Sequence, residues 1–406
     1  MDVELQINNS TAADARFLSW SASPCRIRVS NPAGVNTPTV SVKISGASSA
    51  NGGAVVFRAA TTGAFSSSVT VTIPVDGTTV PFFAAGKQPS VKDGDVKIEA
   101  RVGTTLVGSV PVMVRIRKDA NGLTPAERDR FVSAFAKLNN QGLGRFTDFR
   151  EMHKTPPSLA QAHGTPAFLP WHRAYLLDLE RGLQGIDPSV TLPYWRFDKP
   201  APNIFTPDFF GSSDSLGTVK FSATNPLQFW KTDGVQGVNR RPLFKTSVAP
   251  PNLSNETETL GLGNTFKAFS DMEGDPHGLA HTSFGGSIQD PATAPKDPLF
   301  FLLHCNVDRL WAKWQRVNNR FDPAVAASYV KNPTDPFGHK LGDTMWPWDD
   351  IKNTGGRPPI APGGPMAPSP CVDAPGGKPR VRDCLDYHGI INAASTMAFD
   401  YDDVPL

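Results

Sequence analysis

Six of the eight histidines fall into two trios, and any fold of this chain has to gather each of them. His153, His163 and His172 form the first trio; His277, His281 and His304 form the second. His277 and His281 are four apart, so on a helix they share a face and both imidazoles can reach one metal ion. His304 lies in the apolar stretch 297–311, expected to be a helix capped by Asp297 with Pro298 at its first position. Asp308 follows His304 by four residues, and a carboxylate one turn away can orient an imidazole and fix its tautomer. Taken alone, that stretch fits a core helix with one hydrogen-bonded histidine equally well. His339 and His388 stand in loop-like contexts and are expected to be ordinary surface or satisfied histidines.

Three neutral imidazoles per ion suit copper, zinc, iron or nickel. A zinc metalloprotease helix needs a glutamate after its first histidine, and Gly278 occupies that place. Two-zinc hydrolases usually recruit carboxylates, whereas each trio here is complete without one. Two all-histidine trios favour a redox pair that shares dioxygen.

The rest of the chain divides by its hydrophobic period. Residues 1–114 alternate apolar and polar positions, as in 39–44, 68–73 and 95–102, with turns at Asn51-Gly52-Gly53 and Asp76-Gly77. Period two with regular turns predicts a β-sandwich, immunoglobulin-like in its spacing. This segment has no histidine and no phosphate-binding glycine loop, so its expected role is structural, shielding or partner-binding. From residue 115 to 406 the pattern turns helical. Thr124, Pro125 and Glu127 form a helix start with a capping box, and a second helix is expected over about 145–154. Another starts at Pro170, and helical patterning runs from Phe266 to His281. Residues 200–265 are rich in Pro, Gly, Asn and Ser and are expected to be surface connections, as is the Pro/Gly-rich stretch 353–380. Net charge is only +2 in 406 residues, and no long basic run exists, which argues against nucleic acid and anionic membrane as partners. No stretch of about 18 apolar residues is present, so no membrane span is expected. Met1-Asp2-Val3-Glu4 has neither a basic n-region nor an apolar h-region, which points to the cytoplasm. Of the four cysteines, Cys371 and Cys384 could bridge a loop, while Cys25 and Cys305 look like isolated thiols.

Four motifs in order carry a resemblance: the run from His163-Gly164-Thr165-Pro166 to Trp171-His172-Arg173, Leu192-Pro193-Tyr194-Trp195, Glu273 with His277 and His281, and the stretch 297–311. Residues from about 115 to 403 resemble the tyrosinase and polyphenol oxidase family of type 3 copper proteins. The resemblance implies a multidomain protein whose catalytic part is mainly α, a four-helix bundle around two copper ions, preceded by the all-β domain. It implies that His153, His163 and His172 hold one copper, that His277, His281 and His304 hold the other, and that dioxygen is co-substrate. Glu273 matches the family's acidic residue that helps deprotonate a phenol, Phe300 an aromatic lining the pocket, and Asp308 a carboxylate behind a ligand. Gly278, Thr282 and Pro291 fall where the pocket would be shaped. Arg117 and the Phe399/Tyr401 pair match residues that form a cation–π clasp in the family.

The implied activity is oxidation of o-diphenols to o-quinones, with monophenol hydroxylation as an accompanying reaction. Two other readings use the same ligands: a dioxygen carrier of the hemocyanin type, and an o-aminophenol oxidase. The implied partner is a small phenol; the β domain offers a surface for a protein partner or a second copy. Several positions depart from the family pattern. No cysteine lies near His163, Leu303 replaces an extra histidine, Arg196 follows the Leu-Pro-Tyr-Trp motif in place of an acid, and Gly278 replaces an asparagine.

Overall fold

Side chains that alternate along an extended backbone face opposite sides, so the period-two segments can bury one face and solvate the other. A computed structural model describes residues 1–18, 22–49, 52–88, 90, 94–154, 156–187, 189–332, 334–349, 378–388, 390–391, 397 and 399–404. The chain separates into two compact units, one of Met1–Ile116 with Ala398–Asp402 and Leu406, the other of Arg117–Met397 with Asp403–Pro405.

In the first unit the strands are β1 (Asp2–Ile7), β2 (Phe17–Leu18), β3 (Ser23–Asn31), β4 (Thr39–Ser48), β5 (Ala54–Arg58), β6 (Ser68–Pro74), β7 (Val80–Gln88), β8 (Val96–Val102) and β9 (Thr105–Val114). They form a four-stranded sheet in the order β1-β3-β7-β5 and a five-stranded sheet in the order β2-β9-β8-β4-β6. One apolar core takes side chains from both, with Ile7, Ile27, Phe57 and Phe82 from the first sheet and Val42, Ile44, Ile73 and Ile98 from the second. Register follows the alternation. Antiparallel pairing sets Val42 opposite Val71, both buried, and Ile44 opposite the half-buried Val69, so the apolar faces of β4 and β6 coincide.

The second unit holds α1 (Pro125–Asn139), α2 (Phe146–Lys154), α3 (Pro156–Ala162), α4 (Phe168–Gln184), α5 (Glu256–Leu260), α6 (Phe266–Phe269), α7 (Leu279–Thr282) and α8 (Leu299–Asn318). α1 starts at the expected capping box, Thr124 accepting from the Glu127 amide with Pro125 in the first turn. α4 and α8 are buried on nearly all sides, as central helices are. Two short hairpins lie between the helices, β10 (Ser212–Ser213) with β11 (Val219–Lys220) and β12 (Lys231–Thr232) with β13 (Val235–Gln236), and β14 (Arg240–Pro242) pairs antiparallel with β15 (Phe284–Gly286) across α5–α7.

The mainly α four-helix bundle expected for this part is not what forms. Across the described residues 32% are helical and 25% lie in strands. Two causes are local. The helical pattern over 266–281 breaks into α6, a 3₁₀ turn, a π turn at Gly274–Gly278 and α7, because Pro276 has no amide hydrogen and Asp275 is extended (φ −136°, ψ 116°). Residues 200–265 are not mere surface connections either. Phe205, Phe209, Phe210, Leu227 and Trp230 are buried there, and Trp230 packs on Phe135 of α1 and Phe146 of α2. Arg240 anchors this segment to the start of α8 through a two-point, fully buried pair with Asp297 (2.7 and 2.9 Å). Asp297 also accepts from the Leu299 amide, so α8 begins one residue after Pro298. Cys25, Cys305 and Cys384 are buried thiols; Cys371 and most of 353–380 lie outside the described residues.

α4 and α8 are joined by buried charges. Asp308 of α8 accepts from Arg173 of α4 (2.6 Å) and from Arg117 (3.2 Å). Arg117 also donates to Glu180 of α4 (2.8 Å), so two guanidinium groups face two carboxylates. Arg173 is sandwiched between the rings of Trp311 (3.7 Å) and Tyr387 (4.3 Å) and donates to Gln315 (2.9 Å). All four charged groups are at most 2% exposed, so removing one leaves an uncompensated charge away from water. Asp308→Asn is expected to cost about 3–5 kcal/mol of unfolding free energy. Chemical denaturation of metal-free protein checks this, and a midpoint equal to the parent's would show that the cluster adds no net stability.

Candidate metal centre

Each histidine is delivered by a different local device. In α2, Phe146, Phe149, Met152 and His153 share the buried face, so helical spacing sends His153 inward. His172 lies in the second turn of α4, which begins at Phe168, two residues before Pro170. His163 follows α3, and Gly164 takes a left-handed φ of +64°, a turn that glycine makes without strain. His277 belongs to the π turn, His281 to α7 and His304 to α8. Each trio offers ring nitrogens that all lie within 4.8 Å of one another. The trios adjoin, since the rings of His172 and His304 stack at 4.2 Å with 17° between planes.

Hydrogen bonds define three tautomers. Nδ1 of His172 donates to the Phe168 carbonyl (2.8 Å), Nδ1 of His277 to the Glu273 carbonyl (2.7 Å) and Nδ1 of His281 to the Ile288 carbonyl (2.7 Å). A carbonyl only accepts, so these nitrogens carry the hydrogen and Nε2 keeps its lone pair. Burial holds all six rings neutral. It lowers the pKa of His163 and His281 to about 4 and that of His153, His172, His277 and His304 well below the usual histidine value. Neutral imidazole is the form that binds a metal.

The arrangement asks for cations. Nε2 of His277 and of His281 both face Nε2 of His304, at 3.3 and 3.1 Å. Two of these three atoms are bare lone pairs, and Nδ1 of His304 is buried with no partner among the described residues. In the first trio, the Nε2 lone pair of His172 faces Nε2 of His153 at 3.3 Å, while the Pro291 and Leu159 carbonyls face the rings of His153 and His163. Lone pairs converging in a dry site cost energy unless a positive ion sits among them. The donor set, all imidazole nitrogen, fits copper.

Glu273 touches both halves. Its carbonyl holds His277, and its carboxylate accepts from the Gly164 amide (2.7 Å), next to His163. Burial raises this carboxyl to about 7 against the opposing pull of the Gly164 bond. Its other oxygen has no hydrogen bond among the described residues and can serve a proton in the site.

Two expected residues, Asp308 and Phe300, have other surroundings than their motifs imply. Asp308 is held by Arg117 and Arg173 and does not bond the ring of His304. It orients α8, not the imidazole. Phe300 is fully buried among histidine rings, 4.1 Å from His304 and 4.8 Å from His153, so it packs the interior between the trios. Phe168 does the same on another side, 4.8 Å from both His172 and His277; its sequence position before the Trp-His pair was the available signal. Thr282 and Pro291 are exposed, and the Thr282 hydroxyl donates to the Gly278 carbonyl (3.0 Å). His339 and His388 are buried outside both trios, and Nε2 of His339 has no partner among the described residues.

The family model for the common central domain of tyrosinase matches residues 143–317, which include all six histidines. A tyrosinase of Streptomyces glaucescens is 33% identical over 265 residues, covering 58% of this chain and 93% of that protein. A tyrosinase of Streptomyces antibioticus is 31% identical over 265 residues, with the same coverages of 58% and 93%. Among solved structures, a functional unit of octopus hemocyanin matches with a TM-score of 0.48 at 20% identity, over 71% of this chain and 68% of that one. The chain belongs to the tyrosinase family, copper-dependent enzymes that oxidise phenols with dioxygen.

Proposed function

We propose that the chain is chiefly a diphenol oxidase, converting o-diphenols to o-quinones, with slow hydroxylation of monophenols. The observation that carries this is Glu273, a carboxylate that spans two trios of neutral imidazoles, close to a position, Gly278, that has no side chain. In this reading His153, His163 and His172 hold the first copper and His277, His281 and His304 the second. Bound copper supplies the electron transfer between the phenol and dioxygen. Two catechols give up four electrons and four protons to one dioxygen, leaving two o-quinones and two waters. The protein's part is to hold six imidazoles neutral, to exclude water and to move protons. A phenol has a pKa of about 10, so at neutral pH it needs a base before its oxygen can meet the metal. Glu273, raised to about 7, is matched to that task better than an exposed carboxylate. A second hydrogen-bonding side chain at 278 would make a water beside Glu273 a stronger base, and glycine provides none. Catechol depends less on this help, because its oxidation is easier and its second oxygen can also engage the site.

Freshly loaded protein is expected to hold two coppers per chain. His304→Ala should lose copper and catechol oxidation while its circular dichroism stays that of the parent. Metal analysis after chelation and reloading checks this; activity restored by zinc would sink the reading, and dioxygen binding without catechol turnover would mark a carrier instead.

Gly278→Asn is expected to raise the ratio of monophenol to diphenol activity, and Glu273→Gln to lower it. The backbone admits a side chain, since Gly278 is helical (φ −59°), and an added Cβ would press on the Glu273 carbonyl at 3.3 Å, which must give by a few tenths of an ångström. Steady-state rates on a matched phenol and catechol decide it. A parent enzyme that hydroxylates the phenol as fast as it oxidises the catechol rules the proposal out.

A further inference from the structure

His163 directly follows the last residue of α3, its amide donating to the Leu159 carbonyl (3.2 Å), the same carbonyl that its ring faces. α2 and α8 carry His153 and His304 within their helices. The His163 segment is instead closed from Gln161. The Thr165 hydroxyl donates to the Gln161 carbonyl (2.7 Å), so Gln161 and Thr165 bracket His163 and Gly164.

Gln161 is itself gripped on two sides. It is 4% exposed, and its side-chain Oε1 accepts from the Trp346 amide (3.1 Å). The Trp346 carbonyl accepts from Nε1 of Trp171 (2.8 Å), the residue before His172. The backbone of one buried residue therefore ties the approach to His163 to the helix of His172. On the other side lies Gly338, with φ +89°, where a Cβ would fall 1.4 Å from Nε2 of Gln161. The carboxamide cannot swing away without losing the Trp346 amide, so this glycine leaves room for one side-chain position.

We propose that Gln161, seated between Trp346 and Gly338, is a positioning residue that holds His163 at the first copper. The proposal rests on the ligand reading above. Losing such a support typically weakens metal binding about 10–100-fold. Titration of metal-free protein with copper against a competing chelator should show one equivalent weakened by that factor in Gln161→Ala and the other unchanged. The metal-free melting temperature should fall only modestly, because the buried Trp346 amide loses its acceptor. Gly338→Ala should weaken the same equivalent by displacing the carboxamide. In the Gln161→Ala background the added methyl meets no amide, so beyond the backbone strain of alanine at φ +89°, common to both backgrounds, it should weaken binding no further, a non-additivity that separates contact from general damage. If Gln161→Ala gives no soluble protein, the titration of Gly338→Ala decides. Two equivalents bound as in the parent, or both weakened alike in step with a lower metal-free melting temperature, overturn the proposal. His163→Ala distinguishes the levels. If it keeps both equivalents, the ligand reading falls. If it loses one while Gln161→Ala loses none, only the positioning role falls.

Discussion

The second unit depends on one carboxylate shared by two guanidinium groups. Asp308 accepts from both Arg173 and Arg117 with almost no access to water. Its distances are short and guanidinium geometry is planar and directional, so small shifts between helices would break the contacts. Arg173 is the neighbour of His172, and Asp308 lies one turn beyond His304. Fixing the ion cluster therefore fixes how far α4 slides and turns against α8. The stacked rings of His172 and His304 are the visible consequence, since they place one member of each trio face to face. Among the described residues Arg117 and Arg173 face Glu180 and Asp308 almost without access to water, so removing either carboxylate takes a buried counter-charge from the cluster.

Burial then acts in opposite senses on the acids and bases of the site. It lowers the histidines because their charged form is the protonated one, and it raises Glu273 because its charged form is the deprotonated one. One dry environment thus gives ligands free of protons and a carboxyl whose proton is loosely held near neutrality. The carbonyls of Phe168, Glu273 and Ile288 complete this by choosing which ring nitrogen carries the hydrogen. Two of them lie four residues before the histidine they hold, so tautomer control is written into local backbone.

What could be read along the chain was local. The capping box of α1 and the inward side of α2 follow from residues a few positions apart, and so do the strands of the first unit. The pairing of His277 with His281 also survives, although the helix expected beneath it does not. Pro276 divides that segment, and the π turn still delivers both imidazoles to one place. Asp308 plays another role than its spacing from His304 suggests, for a physical reason. Its nearest histidine in sequence is one turn away, but Arg117 is 191 positions away and wins because a buried carboxylate needs a full charge. Burial of Phe205, Phe209, Phe210 and Trp230 was masked by the polar residues around them, as apolar residues without period carry no signal of a shared core.

Helices alone could not build this centre. Six imidazoles must point at two small volumes, and continuous helices present a ligand only at intervals fixed by their pitch. α2, α4 and α8 supply three ligands in that way, at the cost of nothing but orientation. The other three come from a glycine turn after α3, a π turn and a single turn of helix, all of which escape the pitch. Glu273 serves both trios from one place in the chain. Its carbonyl holds the His277 ring, as the Phe168 carbonyl holds the His172 ring from within α4, and its carboxylate reaches the Gly164 amide beside the other trio. Tautomer control thus needs only a spacing of four residues, while joining the two halves of the centre needs a side chain that crosses to the glycine turn.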